Sequence, residues 1–160
     1  MHPTPSTPFR IVPIPAAYLA RVREGIDDLG QPVERHLAAG GEPLRDVLRR
    51  ARPGEAILLA SYCPFTIAGP YKEYGPVFVS AGGAESPALD TLPLDGARPY
   101  LAASFVLRAY SADERIVDAR LSSPEAAAGE LDTMFARADV AFVLARFPTY
   151  GCYALRLERA

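Results

Sequence analysis

With two cysteines, two histidines and no long apolar run, the 160-residue chain lacks the groups on which much recognisable chemistry is built. Each shortage excludes something. A structural zinc site takes about four Cys, His or carboxylate ligands, usually with a close pair such as C-x-x-C. Cys63 and Cys152 lie far apart, and His2 and His36 are the only imidazoles. No metal and no cofactor is therefore expected. Two thiols do not make a disulfide framework and suit a reducing cytoplasm, with room for one bridge. No apolar stretch approaches the ~20 residues that cross a bilayer. The start, MHPTPSTPF, lacks the basic and apolar segments of a secretory leader. The expected location is cytoplasmic, away from membranes. A net charge of -2 leaves no surplus of positive charge for a polyanion, so nucleic acid is not an expected partner. No G-x-G-x-x-G follows a strand, no phosphate loop ends in Gly-Lys-Ser/Thr, and there is no G-x-S-x-G. Hydride transfer, nucleotide hydrolysis and serine esterase chemistry thus have no local signature.

What is present is an ordinary globular composition, 49% hydrophobic and 22% charged, in a length typical of one domain. Residues 1–8 read as a mobile Pro/Thr/Ser tail and residues 9–160 as a single domain. An apolar, β-branched start at 9–13 predicts a strand. Tyr18, Leu19, Val22 and Ile26 predict a helix over 16–26. Residues 33–38 fit either a strand or a short helix. Leu44, Val47, Leu48 and Ala51 fall at i, i+3, i+4 and i+7 and predict a helix that stops before Pro53. Residues 56–61 read as a covered strand and 77–80 as another, with a long irregular excursion over 81–99. Alternation over 104–110 and 115–121 predicts a hairpin, although its turn, Ser111 to Glu114, lacks the usual glycine. Ser123-Pro124-Glu125 opens a helix whose apolar face is Ala127, Ala128, Leu131, Met134 and Phe135. Strands at 140–145 and 152–157 complete the chain. The pattern predicts an α+β fold: a mixed, mostly antiparallel sheet of about six strands with two or three helices packed on it.

Candidate chemistry concentrates in "SYCPFTIAGPYKEYGPVFVS", residues 61–80. Tyr62, Tyr71 and Tyr74 offer aromatic faces with polar tips, and Lys72 adds a cation. Stiffened by Pro64, Pro70 and Pro76, this set can line a small-molecule pocket or anchor an interface. It can equally be a crossover that covers the edge of the core. Arg45, Arg49, Arg50 and Arg52 on the predicted helix can hold phosphates or carboxylates, or form a solvated face with Asp46 paired to Arg50. Cys63, at a strand end, is placed for a nucleophile with His36 as the imidazole to serve it, or is a small buried hydrophobe. Arg108 alternates onto the polar side of an apolar strand and reads as a rim charge.

The segments "PLRDVLRRARPGEAILLASYCPF", "GPYKEYGPVFV", "FVLRAYSADERIVDARL" and "GCYALRLERA" resemble the bacterial domain of unknown function 1203 family, from about Arg10 to the C-terminus. The resemblance implies a single-domain cytoplasmic bacterial protein and supplies no established activity. Many family members carry cysteine at the positions of Leu44 and, in some, Val47, and a His-x-His-Asn segment matching Leu144, Arg146 and Phe147. Any chemistry built on those groups is missing here. Gly151-Cys152-Tyr153 and Pro70-Tyr71 remain as shared site elements, and the turn at Pro148 brings Arg146, Tyr150 and Cys152 together.

Two functions from different classes follow. The first is a non-enzymatic domain that binds a small anionic metabolite or a partner protein. Its surface is Tyr71, Lys72, Tyr74 and the 147–152 turn, with Tyr62, Arg108, Arg146 and Tyr150 as further ligand contacts. The alternative is a small enzyme using the thiol of Cys63 or Cys152, with Arg146 or Arg108 as an anion-orienting residue. A sheet edge such as the 152–157 strand also offers a route to a homodimer.

Overall fold

Residues that alternate along a strand project to opposite faces of its sheet, and here both faces of one sheet are apolar. The computed structural model describes residues 2–160. In chain order the elements are β1 (Phe9–Val12), α1 (Ala16–Glu24), β2 (Glu34–Leu37), β3 (Pro43–Leu44), β4 (Arg49–Arg50), β5 (Ala56–Tyr62), β6 (Gly75–Ser80), β7 (Phe105–Tyr110), β8 (Ile116–Ser122), α2 (Ala127–Phe135), β9 (Phe142–Arg146) and β10 (Tyr153–Arg159). They form two five-stranded sheets, ordered β1-β10-β9-β7-β8 and β2-β5-β6-β3-β4. The first is antiparallel throughout. The second has one parallel pair, β3 with β6. The α+β class therefore holds with two helices, but the single sheet of about six strands becomes two sheets.

Phe105, Leu107 and Ala109 of β7, with Val143 and Ala145 of β9, pack under α2 through Leu131, Met134 and Phe135. Leu92, Leu94, Tyr100 and Leu101, from the long irregular stretch, close the same core. On the other face of that sheet, Tyr110, Phe142, Leu144 and Tyr153 meet Leu58, Tyr62 and Val79 of the second sheet and Tyr18 and Val22 of α1. This second cluster is the seam between the sheets.

The hairpin turn predicted without a glycine is real. Glu114 takes the left-handed backbone there, φ 62°. Its nearly buried carboxylate accepts hydrogen bonds from the backbone N–H groups of Thr66 and Ile67, which offsets the local strain by fastening a distant loop. α1 stops at Gly25, whose φ of 112° suits glycine, so Ile26 falls outside the helix and is exposed. Residues 33–38 contain a strand, β2. α2 starts later than the Ser123 signal, and Ser123 instead holds the preceding turn by accepting from the Ala126 N–H.

Three expectations are corrected. The segment 44–52 is not a helix but two short strands around a turn, with Leu48 at φ 53°. Long-range partners override its helical periodicity. Asp46, predicted to pair with Arg50, instead accepts from the Ser80 N–H and hydroxyl and from Arg23. β10 is no free edge, since β1 and β9 pair on its two sides. The 152–157 strand therefore cannot add a second copy of the chain. At the N-terminal side the Ser6 and Thr7 N–H groups bond to Asp132, and the Pro8 carbonyl accepts from Ala160.

Asp46 is an almost fully buried carboxylate bridging α1, β6 and the β3–β4 turn. Asp46→Ala leaves Arg23 without its carboxylate and the Ser80 N–H without its acceptor, and is expected to destabilise the fold by about 3 kcal/mol, measured by urea unfolding. A loss below about 1 kcal/mol would mean that the bridge does not hold this turn.

Candidate functional site

Two hollows meet where β9 turns into β10. Arg146 pairs with Tyr153 across the ladder, and the segment between them is closed by Gly151 N–H to Phe147 O at 2.8 Å and Phe147 N–H to Cys152 O at 3.0 Å. Gly151 sits at φ 74°, a conformation that glycine adopts freely. The tight turn pushes Tyr150 out to 89% exposure. Tyr150, Cys152 and Pro76 then stand in the walls of both hollows.

The smaller hollow, about 190 Å³, lies between the end of β5, the start of β6 and this turn. It gathers Tyr62, Tyr74, Arg146, Tyr150 and Cys152, five residues singled out in the sequence. Arg146 is only 6% exposed. It donates to the Gly151 carbonyl at 2.9 Å and to the carboxylate of Glu73. Arg108 approaches the same carboxylate at 3.8 Å. The anion-orienting arginine proposed from the sequence thus already has an anion, and Glu73 is the residue that the sequence reading missed. Tyr62 is a core side chain, packed against Tyr18 and Tyr153 at ring separations of 4.7 and 5.1 Å. Burial, with the Asp28 charge adding to it, pushes its phenol up to about 12.

The other tyrosine-loop residues scatter. Lys72 faces a shallower hollow of about 360 Å³ with Tyr62, Cys63 and Tyr74. Tyr71 lies beneath Arg115, 5.6 Å from ring centre to guanidinium carbon. The thiol of Cys63 points at the Phe65 carbonyl, and that of Cys152 at the Tyr150 carbonyl. His36 pairs with Ile57 at the far end of β5 from Cys63. At ~3.3 Å per residue the two are about 20 Å apart, so His36 is not a base for that thiol.

The larger hollow is a groove of about 830 Å³ on the other side of Tyr150. Leu59, Phe78, Phe147, Pro148 and Ala103 give it an apolar wall, and Arg45 and Arg50 enter from the β3–β4 hairpin. Both guanidinium carbons lie over the Phe147 ring, at 5.3 and 5.4 Å. Arg45 is 4% exposed. It donates to the carbonyls of Tyr153 and Pro43, and Arg50 to those of Gly41, Pro99 and Tyr100. Neither forms an ion pair among the described residues. Burial lowers the pKa of each, and each is pushed the same way by a neighbouring guanidinium, Arg50 on Arg45 and Arg98 on Arg50. The arginine run is legible in the sequence, but a helix would have offered it as one surface face, anion-holding or solvated, whereas the hairpin turns Arg45 inward. The signal for its true arrangement was Pro43 and the Gly40-Gly41 pair, which favour a turn and hairpin over a helix start.

Arg49, on the opposite side of that hairpin, clamps it to Glu55 and Glu85. Its hydrogen bonds hold the Glu55 carboxyl at about 2, well below the ordinary ~4.3. A depressed carboxylate stabilises the fold fully above its unfolded pKa and loses that contribution as pH falls toward the folded value. Arg49→Gln is expected to raise the Glu55 pKa toward, but not fully to, the ordinary ~4.3, because the Arg52 N–H still bonds the carboxylate, and to raise the pH at which acid unfolding begins, read by carboxyl-carbon NMR and a pH series of melts. An unchanged Glu55 titration would show that the clamp is not formed.

Among the described residues no helix is long and apolar enough to cross a membrane, and no cluster of three or more His, Cys, Asp or Glu is placed to hold a metal ion. No curated protein and no solved structure matches the chain. One family does, over residues 41–159, a stretch that takes in the β3–β4 hairpin, the tyrosine loop, the smaller hollow and all of the groove's lining except Ala39 and Gly40, but not β1, α1 or β2. The chain belongs to that family, described as Protein of unknown function (DUF1203).

Proposed function

We propose that the protein is a non-enzymatic binding domain for a small anionic molecule with a sizeable apolar body, held in the groove at Arg45, Arg50 and Phe147. The observation that carries this reading is the uncompensated charge there. Two guanidinium groups flank one aromatic ring, and their partners are backbone carbonyls rather than carboxylates. Of the five N–H donors of an arginine, Arg45 uses two and Arg50 three. The remaining donors are available to an oxyanion, which would relieve the cost of holding two like charges away from water. The apolar wall favours a ligand whose remaining surface is hydrocarbon or aromatic. A volume of about 830 Å³ falls within the range of small-molecule sites, roughly 300–1,000 Å³. The exposed Tyr150 and the half-buried Cys152 stand in its wall, so part of the surface expected from the sequence belongs to the proposed site.

The test is binding of 8-anilinonaphthalene-1-sulfonate, an anionic aromatic probe, followed by its fluorescence. A saturable one-to-one site is expected in the folded protein. Arg50→Gln and Phe147→Ala should each weaken it by about tenfold, the scale of one charge-assisted hydrogen bond or an aromatic contact, with circular dichroism showing an intact fold. Equal binding by the wild type and both variants would remove the groove from consideration.

A further inference from the structure

Arg108 and Arg146 sit on adjacent strands of the first sheet. Arg108 pairs with Leu144, and Arg146 pairs with Val106. Paired residues share a face, so the two arginines are diagonal neighbours on the face turned toward the second sheet. Like charges in that relation repel unless an anion lies between them. The anion is Glu73, which bonds Arg146 and stands 3.8 Å from Arg108.

Glu73 belongs to no strand or helix. It comes from the strap 66–74, in which every residue is exposed. One end of the strap is fixed by Glu114 at Thr66 and Ile67, and the other enters β6 at Gly75. Between those points the Glu73 carboxylate hooks the strap onto a buried guanidinium. The Arg146 side chain is 8% exposed and that of Glu73 46%. The site therefore holds two cations and one carboxylate from a segment whose other anchor between those points is Tyr71 beneath Arg115. A dianion matches two guanidinium groups better than a single carboxylate does. The hollow of about 190 Å³ beside Arg146 and Glu73 has room for one, and Arg108 reaches it from the far side of the Glu73 carboxylate.

We infer that Arg108 and Arg146 form a second anion site, suited to a dianionic oxyanion such as phosphate, free or as an ester. In the resting chain Glu73 fills it. An incoming phosphate exchanges with the Glu73 carboxylate, and the strap loses its hook. The site is separate from the Arg45–Arg50 groove and stands or falls independently of it.

Lys72, next to Glu73, is the only lysine in the sequence. A lysine-specific endoprotease therefore cuts the chain once, in the strap, at a rate that follows the open population. In wild type, inorganic phosphate should speed this cut saturably, and chloride at equal ionic strength should not. Glu73→Gln should be cut about tenfold faster without phosphate and bind phosphate about tenfold more tightly by calorimetry. Arg108→Gln should bind phosphate about tenfold more weakly. Both substituted side chains are at least partly exposed, and circular dichroism checks the fold. A cut rate in wild type that phosphate does not change would overturn the inference, as would Glu73→Gln binding phosphate no more tightly. Phosphate that displaces the naphthalenesulfonate dye in step with the faster cut would place the ion in the groove and also overturn it.

Discussion

Buried main-chain carbonyls must find donors, and in this protein arginine supplies many of them at the turns and element ends. Arg159 reaches the carbonyls of Phe135, Arg137 and Val140 beyond the end of α2. Arg50 gathers Gly41, Pro99 and Tyr100, and so joins the β3–β4 hairpin to the irregular stretch that roofs the first core. Arg45 holds Tyr153 at the start of β10, and Arg146 holds Gly151 in the preceding turn. A guanidinium suits this work because its donors are fixed in a planar fork and its charge persists when it is desolvated. The loops are kept in place by side chains that also bring positive charge inside.

The two roles connect structure to function. Arg49 spends its charge on Glu55 and Glu85, and Arg23 spends its charge on Asp46. Arg45 and Arg50 spend only hydrogen bonds, and their charge remains. The Phe147 ring beneath both guanidinium groups lowers the cost of that charge. The charge left in this groove is thus a by-product of how the hairpin is fastened.

The strands and both helices were largely legible because periodicity is a local property. β7, β8 and β10 alternate, and the apolar faces of α1 and α2 repeat at helical spacing. Residues 44–52 misled because Leu44, Val47, Leu48 and Ala51 obey the helical period while every deciding contact is distant. Ser80, Phe78 and Tyr153 satisfy this segment, and none lies near it in sequence. The division into two sheets was hidden for the same reason: whether β6 neighbours β3 or β7 depends on the seam of tyrosines at Tyr62, Tyr110 and Tyr153, not on any one strand. The site was legible in half. The 146–152 turn announced itself through proline and glycine, and it does gather Arg146, Tyr150 and Cys152. Glu73 was invisible, because an acidic residue in a polar loop carries no mark of the buried guanidinium it meets.

The ladder between β1 and β10 puts Phe9 opposite Arg159, and the Ala160 N–H reaches the Pro8 carbonyl. The start of the first strand and the end of the last therefore lie side by side at one corner. A force applied to both ends would therefore peel β1 from β10 one hydrogen bond at a time, as a zipper opens, instead of shearing the whole ladder at once. The molecule is built to yield at that corner under tension, while β5, β6 and the groove stay out of the line of load.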